Sequence, residues 1–110
     1  MRMWNIPPDL LCRKHLLGEH VETHMFVGTI LKGNSLQGYI EKELVEVHNI
    51  KSRHEELSNE MKTREYKHNS PLPEFVSYDA GKVNMEKNLI ELSSRCPECR
   101  QRIAQNNKNI

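Results

Sequence analysis

Apolar positions recur at helical rather than strand spacing along three stretches of this 110-residue chain. The first opens at Pro7-Pro8-Asp9, because proline tolerates a first helical turn and an early carboxylate suits the positive end of the helix dipole. It runs to about Leu31, where Gly33-Asn34 stops it. The second begins near Ile40 and carries Leu44, Val47, His54, Leu57 and Met61 at steps of three, four and seven, with charged residues between. From Tyr66 to Lys82 the sequence YKHNSPLPEFVSYDAGK is rich in Pro, Asn, Ser and Gly and is expected to cross the surface irregularly. In the third, Met85, Leu89, Leu92, Cys96, Cys99 and Ile103 step by four and three, and Pro97 kinks or restarts the helix near Cys96. The closing NNKNI reads as a disordered tail. The pattern predicts an all-α fold: a compact bundle of about three helices with long irregular loops, one domain over residues 1–105 and a tail over 106–110.

Composition narrows this picture. With 36% hydrophobic and 28% charged residues, each helix can bury only a single stripe. No run of about eighteen apolar residues is present to span a membrane. Pro7, Pro8 and Asp9 interrupt any apolar stretch after Arg2, so no signal peptide is read and a cytoplasmic location is expected; the chain is separately expected to be a monomer. Three cysteines point to free thiols or a metal rather than a disulfide framework. A net charge of +1 neither demands nor excludes nucleic acid, although Arg2, Arg13 and Lys14 cluster near one end, and Arg95, Arg100 and Arg102 near the other.

Candidate chemistry concentrates in HLLGEHVETH, residues 15–24, with three histidines and two glutamates. At about 100° per residue, His15, Glu19 and Glu22 share a narrow stripe with Cys12 and Phe26 beside them, and His20 and His24 point to the opposite side. A metal on His20 and His24 would leave the carboxylates facing elsewhere. The HExxH zincin pattern is not met, since glutamate follows His20 by two residues. Otherwise His20 and His24 read as surface or half-buried histidines, and Glu19 and Glu22 as a solvated face.

The block LLCRKHLLGEHVETHMFVG, directly after an MR start, resembles the opening helix of the phage endonuclease V family of pyrimidine-dimer DNA glycosylase/AP lyases. That family's pattern is histidine then leucine, a glutamate four residues on and a second three further on, here His15-Leu16, Glu19 and Glu22. RHEELSNEMKTREYKHNSPL is similar to its second long helix and exit, and LSSRCPECRQRIAQ more loosely to its third. The resemblance covers most of the chain. It implies an endonuclease V-like fold acting on damaged double-stranded DNA.

It also implies a mechanism, because the family's nucleophile is the α-amine of its first residue. Arg2 is bulky, and methionine aminopeptidases generally spare such second residues, so Met1 is expected to stay and its nitrogen to stand in the nucleophile's place. An α-amine has a reference pKa of about 7.7–8.0 and is partly neutral at physiological pH. Met1 and Glu22 are thus the implied catalytic residues, the amine attacking C1′ and Glu22 stabilising the sugar cation and helping remove the C2′ proton. Arg2, His15 and Glu19 support them, Arg2 on a flanking phosphate, His15 and Glu19 orienting Glu22 or a water. A base must leave the stack to expose C1′.

Departures alter the recognition surface. Val21 and Met25 stand where the family's enzyme carries arginines, and His20 where it carries tyrosine. NNKNI replaces an aromatic, basic tail. DNA contacts are expected from Arg2, Trp4, Arg13, Lys14 and His20. Trp4 stacks on a base or wedges the duplex, or else anchors the chain start in the core. The alternative is a non-catalytic DNA- or protein-binding helical module, zinc-stabilised. CPEC has zinc-knuckle spacing and Cys12-Arg13-Lys14-His15 supplies a CxxH half, so Cys12, His15, Cys96 and Cys99 offer four ligands on paper. Against zinc, Cys96 and Cys99 continue a core stripe, and buried free cysteines behave as small apolar residues. No cofactor is therefore expected, and any zinc would be structural.

Overall fold

Where the helices begin and end is decided by caps and tertiary contacts that periodicity does not reveal. The computed structural model describes residues 1–67 and 70–107, and among these there are five helices and no strand. They are α1 Arg13–Leu31, α2 Gln37–Glu41, α3 Ile50–Thr63, α4 Met85–Arg95 and α5 Pro97–Asn107. None of the described helices is long and apolar enough to cross a membrane. Within the expected tail, Asn106 and Asn107 close α5, and residues 108–110 lie outside the described residues.

The first predicted helix is broken. Pro8–Leu10 forms a separate 3₁₀ turn, Leu11 and Cys12 are extended, and α1 starts at Arg13. The extended step drives Leu11 and Cys12 into the core, which a continuous helix from Pro8 would not do. The second segment is not one helix either. Leu44 and Val47 match the spacing, but Leu44 is in a loop whose carbonyl accepts the Met3 backbone N–H at 2.7 Å, and Val47 opens a 3₁₀ turn before α3. Pro97 does restart the third helix, because the residue before a proline is driven out of the helical region and Cys96 is extended. Met85, counted in the core stripe, is 45% exposed at the solvent-facing start of α4.

Three helices end alike. After α1, α2 and α3 a residue with positive φ (Gly33, Glu43, Glu65) is followed by a backbone N–H that reaches back five residues, Asn34 to Thr29, Leu44 to Tyr39 and Tyr66 to Met61. These bonds satisfy carbonyls that a helix end leaves orphaned. Glycine explains only the first of the three. Gly81 has a stricter requirement: its φ is +90°, and a Cβ there would lie 2.1 Å from the Val45 carbonyl oxygen.

The core is in two parts with α1 running past both. One contains Trp4, Ile6, Leu11, Leu16, Leu57 and Leu92, and the other Met3, Phe26, Val27, Leu36, Val45 and Ile50. The segment 1–6 threads between them. Its backbone is fixed at Met3 by Leu44 and at Trp4 by the Asn88 side-chain amide, 2.9 Å from the Trp4 carbonyl.

Candidate active site at the chain start

Helix α1 sets three acid–base groups in register, and the threaded segment brings the chain start to them. The stripe predicted for His15, Glu19 and Glu22 is realised: all three line one cavity of about 480 Å³, which Arg2, Trp4, Lys14 and Arg95 also line. That volume is within the range of about 300–1,000 Å³ usual for small-ligand sites. The Met1 α-nitrogen lies 3.8 Å from Glu22 Oε1, at the edge of this stripe.

Glu22 is partly buried, and its carboxyl is pushed above the ordinary glutamate range, first by burial and then by Glu19, against the pull of the chain-start amine and of Arg2. His15 is pushed the other way. Burial, helped by Arg95 and Lys14 and opposed by Glu98, lowers its pKa and favours the neutral ring. Its Nδ1 faces Cys12 Sγ at 3.2 Å and Cys99 Sγ at 3.5 Å.

Several expected roles meet a different geometry. Arg2 does not point freely at solvent: Nη1 donates to Glu91 at 2.8 Å, Nη2 to Asn88 at 2.7 Å, and the guanidinium lies 3.7 Å above the Trp4 ring. Its committed nitrogens fix the chain start to α4. Trp4 is 3% exposed, with Arg2 and Arg95 against its ring and His15 edge-on to it, which is the arrangement of a core anchor and not of a duplex wedge. Glu19 is buried and gripped by Arg53, so it reaches Glu22 through charge and not by direct support. His20, expected on the DNA side, is buried against the rings of His24 and His54. Nε2 of His24 and of His54 both meet the Ser70 carbonyl, at 2.9 and 3.1 Å, and since a carbonyl only accepts, both nitrogens donate there. Arg13 and Lys14 are exposed, Arg13 over the Tyr66 ring and Lys14 at the cavity rim.

Arg53, Asn88 and Glu91 escaped the sequence reading. Arg53 carried a signal: it stands four residues before Leu57 and eight before Met61, on the buried stripe of α3. A cation on such a stripe requires an acid opposite. Asn88 and Glu91 carried none. Among the described residues, two clusters of side chains could hold a metal by proximity, Cys12 with His15, Cys96 and Cys99, and His20 with His24 and His54.

No curated protein and no solved structure matches the chain. The sequence model of one family, described as pyrimidine dimer DNA glycosylase, matches residues 1–74. That segment takes in Met1, the whole of α1 with Glu22, and Arg53, and stops before α4 and α5. On this match over well more than half its length, the chain belongs to the pyrimidine dimer DNA glycosylase family.

Proposed function

We propose that this protein is a DNA glycosylase with AP lyase activity, in which the Met1 α-amine is the nucleophile and Glu22 the carboxylate that works beside it. The observation that carries the proposal is the 3.8 Å approach of the Met1 nitrogen to Oε1 of Glu22, a residue that lines a cavity of small-ligand size. In the reaction the neutral amine attacks C1′ of the target deoxynucleotide, and the C1′–base bond breaks, the base leaving with its electron pair. Opening of the sugar ring gives an iminium between the Met1 nitrogen and C1′. Glu22 stabilises the developing cation and then takes the C2′ proton, and the electrons so released expel the 3′ phosphate. The substrate is damaged double-stranded DNA, a pyrimidine dimer by family. Flipping a base to reach C1′ costs a few kcal/mol, least at a damaged pair. Lys14, Arg13 and Arg95 are the exposed cations that meet flanking phosphates.

Borohydride reduction during incubation with abasic-site duplex tests this. A covalent adduct on the N-terminal peptide, read by mass spectrometry, is expected. Its absence from protein with an unblocked Met1 would defeat the proposal.

A second reading, a non-catalytic DNA-binding module, draws on two observations. Val21 and Met25 are 55% and 48% exposed where the resemblance expects arginines, and the guanidinium of Arg2 is already committed. It predicts duplex binding that is indifferent to acetylation of the α-amine and no adduct on any lesion.

A further inference from the structure

The three cysteines come from distant parts of the chain, yet converge on one histidine nitrogen. Cys12 caps the start of α1, Cys96 is the extended residue between α4 and α5, and Cys99 stands in the first turn of α5. The three sulfurs and one ring nitrogen of His15 all lie within 4.8 Å of one another. Cys12 Sγ is 3.9 Å from Cys96 Sγ, while the His15 Nδ1 contacts are 3.2 and 3.5 Å.

A tetrahedral zinc with Zn–S of about 2.3 Å and Zn–N of about 2.0–2.1 Å sets its ligands at edges of about 3.8 Å for S···S and about 3.6 Å for S···N. The three separations of 3.9, 3.2 and 3.5 Å lie within about 0.4 Å of those edges, and the whole set lies within 4.8 Å. A disulfide is a poor account of them, because its sulfurs would stand about 2.05 Å apart. Apolar packing of free thiols is also incomplete. It explains why Cys12 and Cys99 are buried, but not why an imidazole nitrogen faces two sulfurs, nor why backbone N–H groups are aimed at sulfur. The Cys12 amide donates to Cys99 Sγ at 3.3 Å, and the Cys99 amide to Cys96 Sγ at 3.4 Å. Such donors stabilise thiolates and orient them toward a metal.

We propose that Cys12, His15, Cys96 and Cys99 bind one zinc ion as a Cys₃His site. Four protein ligands leave no open position, so the ion is structural. It joins the start of α1 to the α4–α5 junction, and so ties the segment outside the family match to the segment inside it. Coordination through Nδ1 puts the proton of neutral His15 on Nε2 and fixes the ring that forms part of the cavity wall.

Protein produced with zinc and purified without chelator is expected to hold one zinc per chain by elemental mass spectrometry. Replacement by cobalt(II) is expected to give the intense near-ultraviolet thiolate-to-cobalt band and the visible bands of a tetrahedral site. Cys96→Ser is expected to lose the zinc, and His24→Gln to keep it. Should Cys96→Ser fail to fold, His15→Cys keeps four tetrahedral ligands and is expected to bind cobalt with bands shifted by the fourth thiolate. Folded wild-type protein that takes up neither zinc nor cobalt would overturn the proposal. So would metal that survives Cys96→Ser but is lost in His24→Gln.

Discussion

Arg53 grips Glu19 through two parallel hydrogen bonds, Nε to Oε2 at 2.6 Å and Nη2 to Oε1 at 2.9 Å, with both side chains buried. The pair joins α3 to α1 at the level of the cavity, and the wall that carries Glu22 depends on it. Arg53→Met strands Glu19 as a buried charge and is expected to lower the unfolding free energy by about 3–5 kcal/mol, whereas Glu19→Gln is expected to cost less, because Arg53 keeps the bond from Nη1 to Glu56 at 3.1 Å. Replacing both by apolar residues of similar volume is expected to cost less than Arg53→Met alone. Urea denaturation of the three variants measures this, and an Arg53→Met change that costs under about 1 kcal/mol would contradict it.

Glu22→Gln keeps the shape of the site and removes the carboxylate. Strand cleavage of abasic-site duplex is expected to fall by about 10²–10⁴-fold, the usual contribution of a positioned acid–base group. Stability is expected to move the other way. The folded state raises the Glu22 pKa, chiefly by burial, so between the ordinary and the raised value the native protein binds more protons than the unfolded chain. Stability therefore falls as pH rises through that window, and above it the buried carboxylate is a net cost. The variant is expected to melt no lower than wild type at neutral pH.

The same shift fixes one limb of the pH–rate profile. If the reaction needs Glu22 ionised, the acid limb of single-turnover cleavage lies above the glutamate reference of about 4.3. It is expected to vanish in Glu22→Gln. A limb at or below that reference, or one unchanged in the variant, would assign it to another group.

Asn88 holds the chain start on two sides, accepting from Arg2 Nη2 at 2.7 Å and donating to the Trp4 carbonyl at 2.9 Å. Asn88→Ala is expected to cost about 1–3 kcal/mol of stability, as a buried carbonyl loses its donor. It is also expected to lower the borohydride-trapped yield out of proportion to the folded fraction. Asn88→Asp keeps the Arg2 contact and forfeits the donor, so comparing the two separates the contributions.

Gly81→Ala tests the loop that closes over the second half of the core. The added Cβ meets the Val45 carbonyl at 2.1 Å, and φ is +90°. Backbone of this kind costs about 1–3 kcal/mol even without a clash. A lower melting temperature is expected by thermal unfolding, and an unchanged one would refute the close approach.

The stripe of candidate residues on α1 was legible because it is local. A 3.6-residue period puts His15, Glu19 and Glu22 on one stripe whatever surrounds the helix, and that stripe is where the cavity forms. The α4–α5 break was legible for a similar reason, since proline acts on the residue next to it. What was missed depends on contacts between distant residues. The bond from Met3 to Leu44 cuts the second helix short, and burial of Leu11 and Cys12 breaks the first. His20 is a polar-tipped aromatic whose type does not say which side it faces, and it faces inward, while for Trp4 the core-anchor alternative left open by the sequence is the one realised. Glu43 and Glu65 end their helices in a conformation for which glutamate gives no warning.

The segment 1–6 changes halves along its course, with Met3 in one and Trp4 and Ile6 in the other. It is therefore a seam that neither half can finish without the other. The Met1 nitrogen comes beside Glu22 only when both are packed, so on the proposed reading competence for chemistry would belong to the completed molecule. In denaturant, adduct formation and helicity should disappear in a single step, and no half-assembled form would carry a working nucleophile.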